Sequence, residues 1–184
     1  MAAVQQHPLV LLEAEPGAGK TTRVPTALLE VYARIWVTEP RRLAARLAAG
    51  YVARERGEAV GATIGYAVRF DDRRTAATRV VYATEGILAR RLQNDPQIAD
   101  TDVVILDEFH ERHVDTDLCF ALLRALQARR PSLRVVLMSA TLGAQRLQQQ
   151  FPAAPLISAP GRTFPVEIEH LPETLSDIYF CNFS

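Results

Sequence analysis

The chain has a single lysine, and that lysine closes a glycine-rich turn. Lys20 follows Gly17-Ala18-Gly19, and every other one of its 21 lysine and arginine residues is an arginine. An apolar run at residues 9–12 precedes the turn, and a helix-like stretch at residues 20–32 follows it. A strand, a glycine-rich turn and a helix that starts with Lys-Thr form a cradle for nucleotide phosphates. The sequence therefore predicts a strand–turn–helix unit that binds a nucleotide.

The residue types in this turn suit phosphate binding. Gly17 and Gly19 allow backbone conformations and a close approach that a side chain blocks. Lys20 brings a compact ammonium on a flexible stem, for which the planar fork of arginine is a poor substitute. Thr21 offers its hydroxyl to Mg²⁺. Ala14 stands where the pattern usually has its first glycine, and an ordinary surface turn is the alternative interpretation. The predicted nucleotide-binding residues are Gly17, Ala18, Gly19, Lys20, Thr21 and Thr22.

An acidic pair after an apolar run predicts the second part of the site. Residues 103–106 read Val-Val-Ile-Leu, and Asp107 and Glu108 follow directly. We expect Asp107 to hold Mg²⁺ through a water, and Glu108 to orient and deprotonate the attacking water. The alternative is a pair of acids that simply ends a strand at the surface.

Apolar strands alternate with amphipathic helices along the chain. Strands are predicted at residues 9–12, 34–38, 63–70, 79–82, 102–106, 133–139, 154–158 and 165–170. Helices are predicted at residues 20–32, 42–56, 84–94, 116–129 and 143–151. Several strands are apolar throughout, as is typical of a parallel sheet covered by helices on both faces. The sequence predicts an α/β fold with three layers and a mainly parallel sheet.

Composition limits the class of protein more than its function. The formal net charge is zero, so any nucleic-acid site has to come from local clusters of charge. Two cysteines, Cys119 and Cys181, lack metal-ligand spacing and indicate a reduced, cytoplasmic chain. No apolar stretch is long enough to cross a bilayer, so we expect no membrane partner.

Further motifs resemble one family. Residues 107–112 read Asp-Glu-Phe-His-Glu-Arg, and residues 139–142 read Ser-Ala-Thr-Leu. The chain resembles the first RecA-like domain of a DEAH-box RNA helicase of superfamily 2, over roughly residues 8–172. Phe109 within the box is similar to the bacterial HrpB-type branch. Other motifs match the family in order at residues 13–25, 38–45, 65–70, 84–88 and 160–166.

The resemblance implies a path for single-stranded RNA, with DNA left open. Its residues would be Arg41, Arg42, Thr84, Glu85 and Gly86. Guanidinium groups and helix N-termini suit phosphate oxygens and carry little sequence information. The alternative for the arginine pair is a solvated helix start. Because cations at a helix N-terminus oppose the helix dipole, a bound phosphate explains the pair better. The segment 69–74 is interpreted instead as a solvated turn.

Three further roles follow from the resemblance. His110 is expected to act with Lys20 and Glu108 as a catalytic residue, and to couple the ATP site to Ser139 and Thr141. Those two residues would relay the state of the nucleotide to the RNA. Tyr51 lies near the position where related helicases carry an arginine that stacks on the adenine, so it is a candidate for that contact.

The resemblance also implies a partner that this sequence does not match. The second RecA-like domain of the family supplies arginine fingers, the other wall of the ATP site and half of the RNA path. We expect residues 1–170 to form the first helicase domain, and residues 171–184 to be the start of a linker or a truncated tail. The expected function is the ATP-binding motor half of an RNA helicase that uses ATP and Mg²⁺. The alternatives are a nucleotide-binding fragment without catalysis and, less compatible with the motifs, a small-molecule kinase.

Overall fold

The fold is one eight-stranded sheet between two layers of helices. The computed structural model describes residues 2–15 and 17–159, without the side chains of 141–145. The strands lie in the order β4-β3-β5-β2-β6-β7-β1-β8, and all neighbours are parallel except β3 and β4. The strands are Leu9–Ala14 (β1), Ile35–Glu39 (β2), Ile64–Val68 (β3), Asp71–Arg73 (β4), Val80–Thr84 (β5), Val103–Leu106 (β6), Arg134–Ser139 (β7) and Leu156–Ala159 (β8).

In the described residues, five α-helices and one short 3-10 turn lie between strands, and a further short helix precedes β1. The helices are Ala2–Gln6 (α1), Lys20–Leu28 (α2), Arg42–Glu55 (α3), Glu85–Asn94 (α4), Val114–Arg129 (α5) and Thr141–Gln150 (α6). A 3-10 turn, Phe109–Glu111, follows β6. None of the described helices is both long enough and apolar enough to cross a bilayer.

The two faces of the sheet bury separate apolar cores. Side chains of α1, α2 and α3 pack on one face, around Val37, Tyr82 and Ile105. Side chains of α4, α5 and α6 pack on the other, around Trp36, Val104 and Leu106. Successive residues of a strand point to opposite faces, so a strand covered on both faces has to be apolar at every position. This burial confirms the prediction of a three-layer α/β fold.

Several predicted boundaries differ from the structure. The helix predicted at residues 20–32 ends at Leu28, and the strand predicted at residues 63–70 ends at Val68. Helix α1 and strand β4 were not predicted. Segment 69–74, interpreted as a turn, includes β4, whose backbone pairs with β3 in an antiparallel hairpin. The strand predicted at residues 165–170 and the tail 171–184 lie outside the described residues.

The parallel arrangement places the candidate site at one edge of the sheet. Strands β1, β2, β5, β6 and β7 run in the same direction, so their carboxyl ends meet at one edge. Open α/β sheets bind ligands at this edge. The glycine-rich turn, the acidic pair and the segments that begin at Arg41, Thr84 and Ser139 all follow these strand ends.

Candidate active site

The glycine-rich turn leads from β1 into the first turn of α2. Gly17 and Gly19 have left-handed backbones, with φ of 79° and 77°. No side chain caps the N-terminus of α2 after Gly19, so its first N–H groups are available to a ligand. Lys20 begins the helix and is only 7% exposed. A buried ammonium argues against an ordinary surface turn. Pro16, within the turn, is not among the described residues.

Ala14 and Pro25 have local structural explanations. Ala14 is the last residue of β1, where it pairs with Ala159 and is buried. A regular strand position needs no glycine, which explains the departure from the usual pattern. Pro25 lies inside α2 and lacks the N–H that normally reaches the carbonyl of Thr21. The hydroxyl of Tyr82, on β5, donates to that carbonyl at 2.9 Å.

The acidic pair meets the phosphate turn directly. The Thr21 hydroxyl donates to Asp107 Oδ2 at 2.5 Å, and Lys20 Nζ lies 3.0 Å from Glu108 Oε1. Asp107 is fully buried, and its Oδ1 accepts the backbone N–H of Glu108 at 2.8 Å. Glu108 has a left-handed backbone with φ of 49°, which turns the chain sharply after β6. The two predicted halves of the site therefore lie in contact, although they are 86 residues apart in sequence.

Burial sets the protonation of two carboxyl groups in this site. Burial, followed by the carboxyl groups of Asp107 and Glu108, raises the pKa of Glu39 from 4.5 to about 8. Burial also raises the pKa of Asp107 from 3.8 to about 6, although its hydrogen bonds to Thr21 and to the N–H of Glu108 act in the opposite direction. A nearby cation favours the charged form of such groups. Glu39 was not predicted as a site residue, and neither was Tyr82.

The predicted coupling residues lie beside the acidic pair. His110 Nδ1 accepts the backbone N–H of Ala140 at 3.3 Å and lies 3.4 Å from Glu108 Oε2. Ser139 is buried at the end of β7, and its hydroxyl donates to the carbonyl of Ala140 at 3.0 Å. His110 therefore reaches the Ser-Ala-Thr segment through the backbone. The side chain of Thr141 is outside what the structure describes.

The predicted nucleic-acid residues lie at or just after the carboxyl ends of two neighbouring strands, β2 and β5. Arg41 precedes α3 after β2, and Thr84 precedes α4 at the end of β5; neither helix N-terminus has a side-chain cap. Register pairs Glu39 with Thr84, so the two segments are adjacent. Glu85 is only 6% exposed, and its carboxylate accepts the hydroxyl of Thr116. The exposed parts of this surface are Arg41, Arg42, Gly86 and the open helix N-termini.

Arg41 and Tyr51 each pair with a glutamate side chain. Arg41 Nη2 lies 3.3 Å from Glu111 Oε1, so the first arginine is linked to the 3-10 turn that follows the acidic pair. Tyr51, on α3, is 44% exposed, and its hydroxyl donates to Glu55 at 2.8 Å. The ring of Tyr51 therefore stays accessible, and adenine stacking on it remains a prediction.

Comparison with known proteins agrees with the site. The family model for the DEAD/DEAH box helicase matches residues 1–149. The ATP-dependent RNA helicase HrpB of Escherichia coli is 44% identical over 176 residues, which cover 94% of this chain and 22% of that protein. The ATP-dependent RNA helicase DHX30 of Rattus norvegicus is 37% identical, with coverage of 97% of this chain and 16% of that protein. The chain thus spans less than a quarter of these relatives.

Solved structures give the same result. The crystal structure of the Escherichia coli DEAH/RHA helicase HrpB superposes with a TM-score of 0.85 and 45% identity, covering 90% of this chain and 22% of that chain. The predicted resemblance to the HrpB-type branch is confirmed. Because the family model spans most of the chain, this protein belongs to the DEAD/DEAH box helicases.

Proposed function

We propose that this chain is the ATP-binding motor half of an ATP-dependent RNA helicase. In such a motor, ATP hydrolysis drives movement along single-stranded nucleic acid, here RNA, with DNA as a further substrate to be tested. The observation that carries the proposal is the pair of contacts Lys20–Glu108 and Thr21–Asp107, which joins both halves of an NTPase site. The relatives HrpB and DHX30 are named ATP-dependent RNA helicases, which supports the same substrate class.

The side chains fit Mg²⁺ shared with nucleotide phosphates. Thr21 and Asp107 present a hydroxyl and a carboxylate at one point, and buried Glu39 Oε1 has no hydrogen-bond partner. Among the described residues, no three His, Cys, Asp or Glu side chains form a ready cation cage. Mg²⁺ sites that share ligands with phosphates need none. When bound, Mg²⁺ neutralises phosphate oxygens and holds them in place.

The residues of the chain then have separate tasks. The N–H groups of the turn and the ammonium of Lys20 hold phosphate oxygens. A phosphate competes with Glu108 for that ammonium, and this competition frees the Glu108 carboxylate to orient water and accept its proton. Asp107 stays fixed by the N–H of Glu108. His110 transmits a change at Glu108 to Ala140, because it contacts both.

We propose that RNA lies across the N-termini of α3 and α4. Arg41 and Arg42 would contact its phosphates together with the uncapped N–H groups of both helices. Phe70, in the turn between β3 and β4, is 90% exposed, and its backbone has a positive φ of 68°. The guanidinium of Arg69 lies over the face of its ring. An exposed aromatic beside an arginine suits base stacking, which makes this hairpin an addition to the predicted path.

Efficient hydrolysis is proposed to require a second RecA-like domain. The relatives are several times longer than this chain, and Glu108 is 27% exposed at an open sheet edge. An arginine finger from a facing domain contributes roughly 10³–10⁵ to the rate in comparable NTPases. We therefore propose that the isolated chain binds nucleotide, hydrolyses it slowly and does not unwind duplexes. A binding fragment without catalysis is the alternative. Cytoplasmic location is also proposed, and the buried free thiol of Cys119 is compatible with it.

Binding of a fluorescent ADP analogue to the purified chain tests the proposal. Saturable binding that is strengthened by Mg²⁺ is expected for the wild type. Lys20→Arg keeps the charge but not the compact shape, so we expect its affinity to fall at least about tenfold. Arg90→Ala, an exposed arginine on α4, is the matched control and is expected to bind like the wild type. Equal affinity of wild type and Lys20→Arg would contradict the assignment.

A further inference from the structure

Glu39 is a buried acid with an unpartnered oxygen. It ends β2, is 4% exposed, and its Oε1 makes no hydrogen bond. Among the described residues, the only other buried side-chain atom in this condition is Nε of Arg134. A buried polar atom without a partner costs about 1–3 kcal/mol, so a native structure normally gives it a ligand, an ion or water.

Sheet geometry places Glu39 in the nucleotide site. Thr38 pairs with Leu106, so the next residues, Glu39 and Asp107, lie side by side, and the N–H of Asp107 donates to the carbonyl of Thr38 at 3.3 Å. Alternation along each strand turns both side chains towards the face that carries α2. Glu39 is therefore close to the carboxylate that accepts the Thr21 hydroxyl.

The charges of this cluster call for a cation. Three carboxyl groups, those of Glu39, Asp107 and Glu108, interact with the single ammonium of Lys20. A divalent cation close to these groups would favour their charged forms and balance them. Asp107 and Thr21 would hold the cation together with the nucleotide phosphates, since they already meet each other. Glu39 lies beside Asp107 at the end of the neighbouring strand, where it would reach the cation through a water.

We propose that Glu39 positions the divalent cation by accepting a hydrogen bond from one of its bound waters. Mg²⁺ keeps several waters in such sites, and these waters need acceptors. The inference rests on the proposed nucleotide site and adds to it a third carboxylate, from the strand that leads to Arg41. Groups that hold a metal-bound ligand from behind typically contribute 10–100-fold to metal affinity, as an order of magnitude.

Mn²⁺ binding in the presence of ADP tests this role without measuring activity. Electron paramagnetic resonance measures the concentration of free Mn²⁺ as the chain is titrated with Mn²⁺. Glu39→Gln keeps the shape and hydrogen-bonding capacity but removes the charge, and we expect about tenfold weaker Mn²⁺ binding. Glu39→Met also removes the acceptor, so its loss is expected to be at least as large. Glu58→Gln, a paired glutamate after α3, is the control and is expected to bind Mn²⁺ like the wild type.

A second readout separates a cation role from a structural one. ADP affinity in the presence of EDTA is expected to be the same in wild type and Glu39→Gln, because the residue acts on the cation and not on the phosphates. Equal Mn²⁺ affinity in both proteins would overturn the inference, as would equal losses of ADP affinity with and without the metal. If the wild type binds no nucleotide at all, the proposed function fails first. Circular dichroism of each variant checks its fold.

Discussion

The buried carboxyl group of Glu39 makes the stability of the metal-free protein depend on pH. The pKa of Glu39 is about 8 in the folded protein, against 4.5 in an unfolded chain. Between these values the folded state keeps a proton that the unfolded state has lost. The free energy of unfolding therefore has its full value below pH 4.5 and falls as the pH rises towards 8. Glu39→Gln cannot lose this proton and is expected to abolish most of that fall.

The size of the effect follows from the shift. One pKa unit corresponds to about 1.4 kcal/mol, so the shift of Glu39 corresponds to at most roughly 5 kcal/mol between pH 4.5 and 8. Asp107, whose pKa is raised to about 6, adds a change of the same sign in wild type and variant alike. Because the two acids interact, we expect the difference between wild type and Glu39→Gln to be a few kcal/mol.

Urea unfolding followed by circular dichroism, in EDTA at several pH values from 5 to 8.5, measures this difference. The two proteins should have similar free energies of unfolding at pH 5, and the variant should be more stable at pH 8.5. Glu30→Gln, at an exposed position, controls for the loss of one acid. Parallel stability curves for wild type and Glu39→Gln would refute the reasoning, since they would mean that Glu39 has the same pKa in both states.

Four further predictions concern other elements of the fold and the proposed RNA surface. Gly65→Ala places a Cβ 2.5 Å from the carbonyl oxygen of Arg73 in the β3–β4 hairpin, so it should destabilise the protein by about 2 kcal/mol in urea unfolding. Gly50→Ala, with open space inside α3, should stabilise it by about 1 kcal/mol in the same assay, and the opposite order would contradict the packing argument. Tyr82→Phe removes the hydroxyl that donates to the carbonyl of Thr21, and should lower the free energy of unfolding by about 1 kcal/mol. No loss would mean that water replaces the hydroxyl. Arg41→Ala should weaken binding of a single-stranded RNA oligomer in fluorescence anisotropy and reduce the salt dependence by about one ion, and an unchanged salt slope would place Arg41 off the RNA path.

The layers of the fold were predictable because burial leaves a direct mark on sequence. A strand such as Val103–Leu106, covered on both faces, has to be apolar at every position. The site was predictable for a related reason, because the candidate functional residues follow directly after such strands. Asp107 and Glu108 come at the end of β6, and the glycine-rich turn comes at the end of β1. Parallel strands then bring these ends together without further information.

What the sequence could not predict depends on pairing between distant segments. Strand β4 consists of Asp71–Arg73, and charged residues give no strand pattern; it forms because the hairpin supplies backbone partners. Helix α1 has five residues, which are too few to show a repeating helical pattern of apolar positions. Glu39 was visible within a family motif, but its contact with Asp107 depends on the register of β2 against β6. Register is not readable from either strand alone.

The hydroxyl of Tyr82 replaces the hydrogen bond that Pro25 cannot donate, and it thereby links α2 to β5. An ordinary helix would satisfy the carbonyl of Thr21 internally, and α2 would then be joined to the sheet mainly by apolar packing. Here the proline frees that carbonyl, and a directional bond ties Thr21, which we propose as an Mg²⁺ ligand, to the middle of β5. Two residues further along β5 is Thr84, where the proposed RNA surface begins. A shift of Thr21 on nucleotide exchange would thus pull on the strand that ends at the nucleic acid.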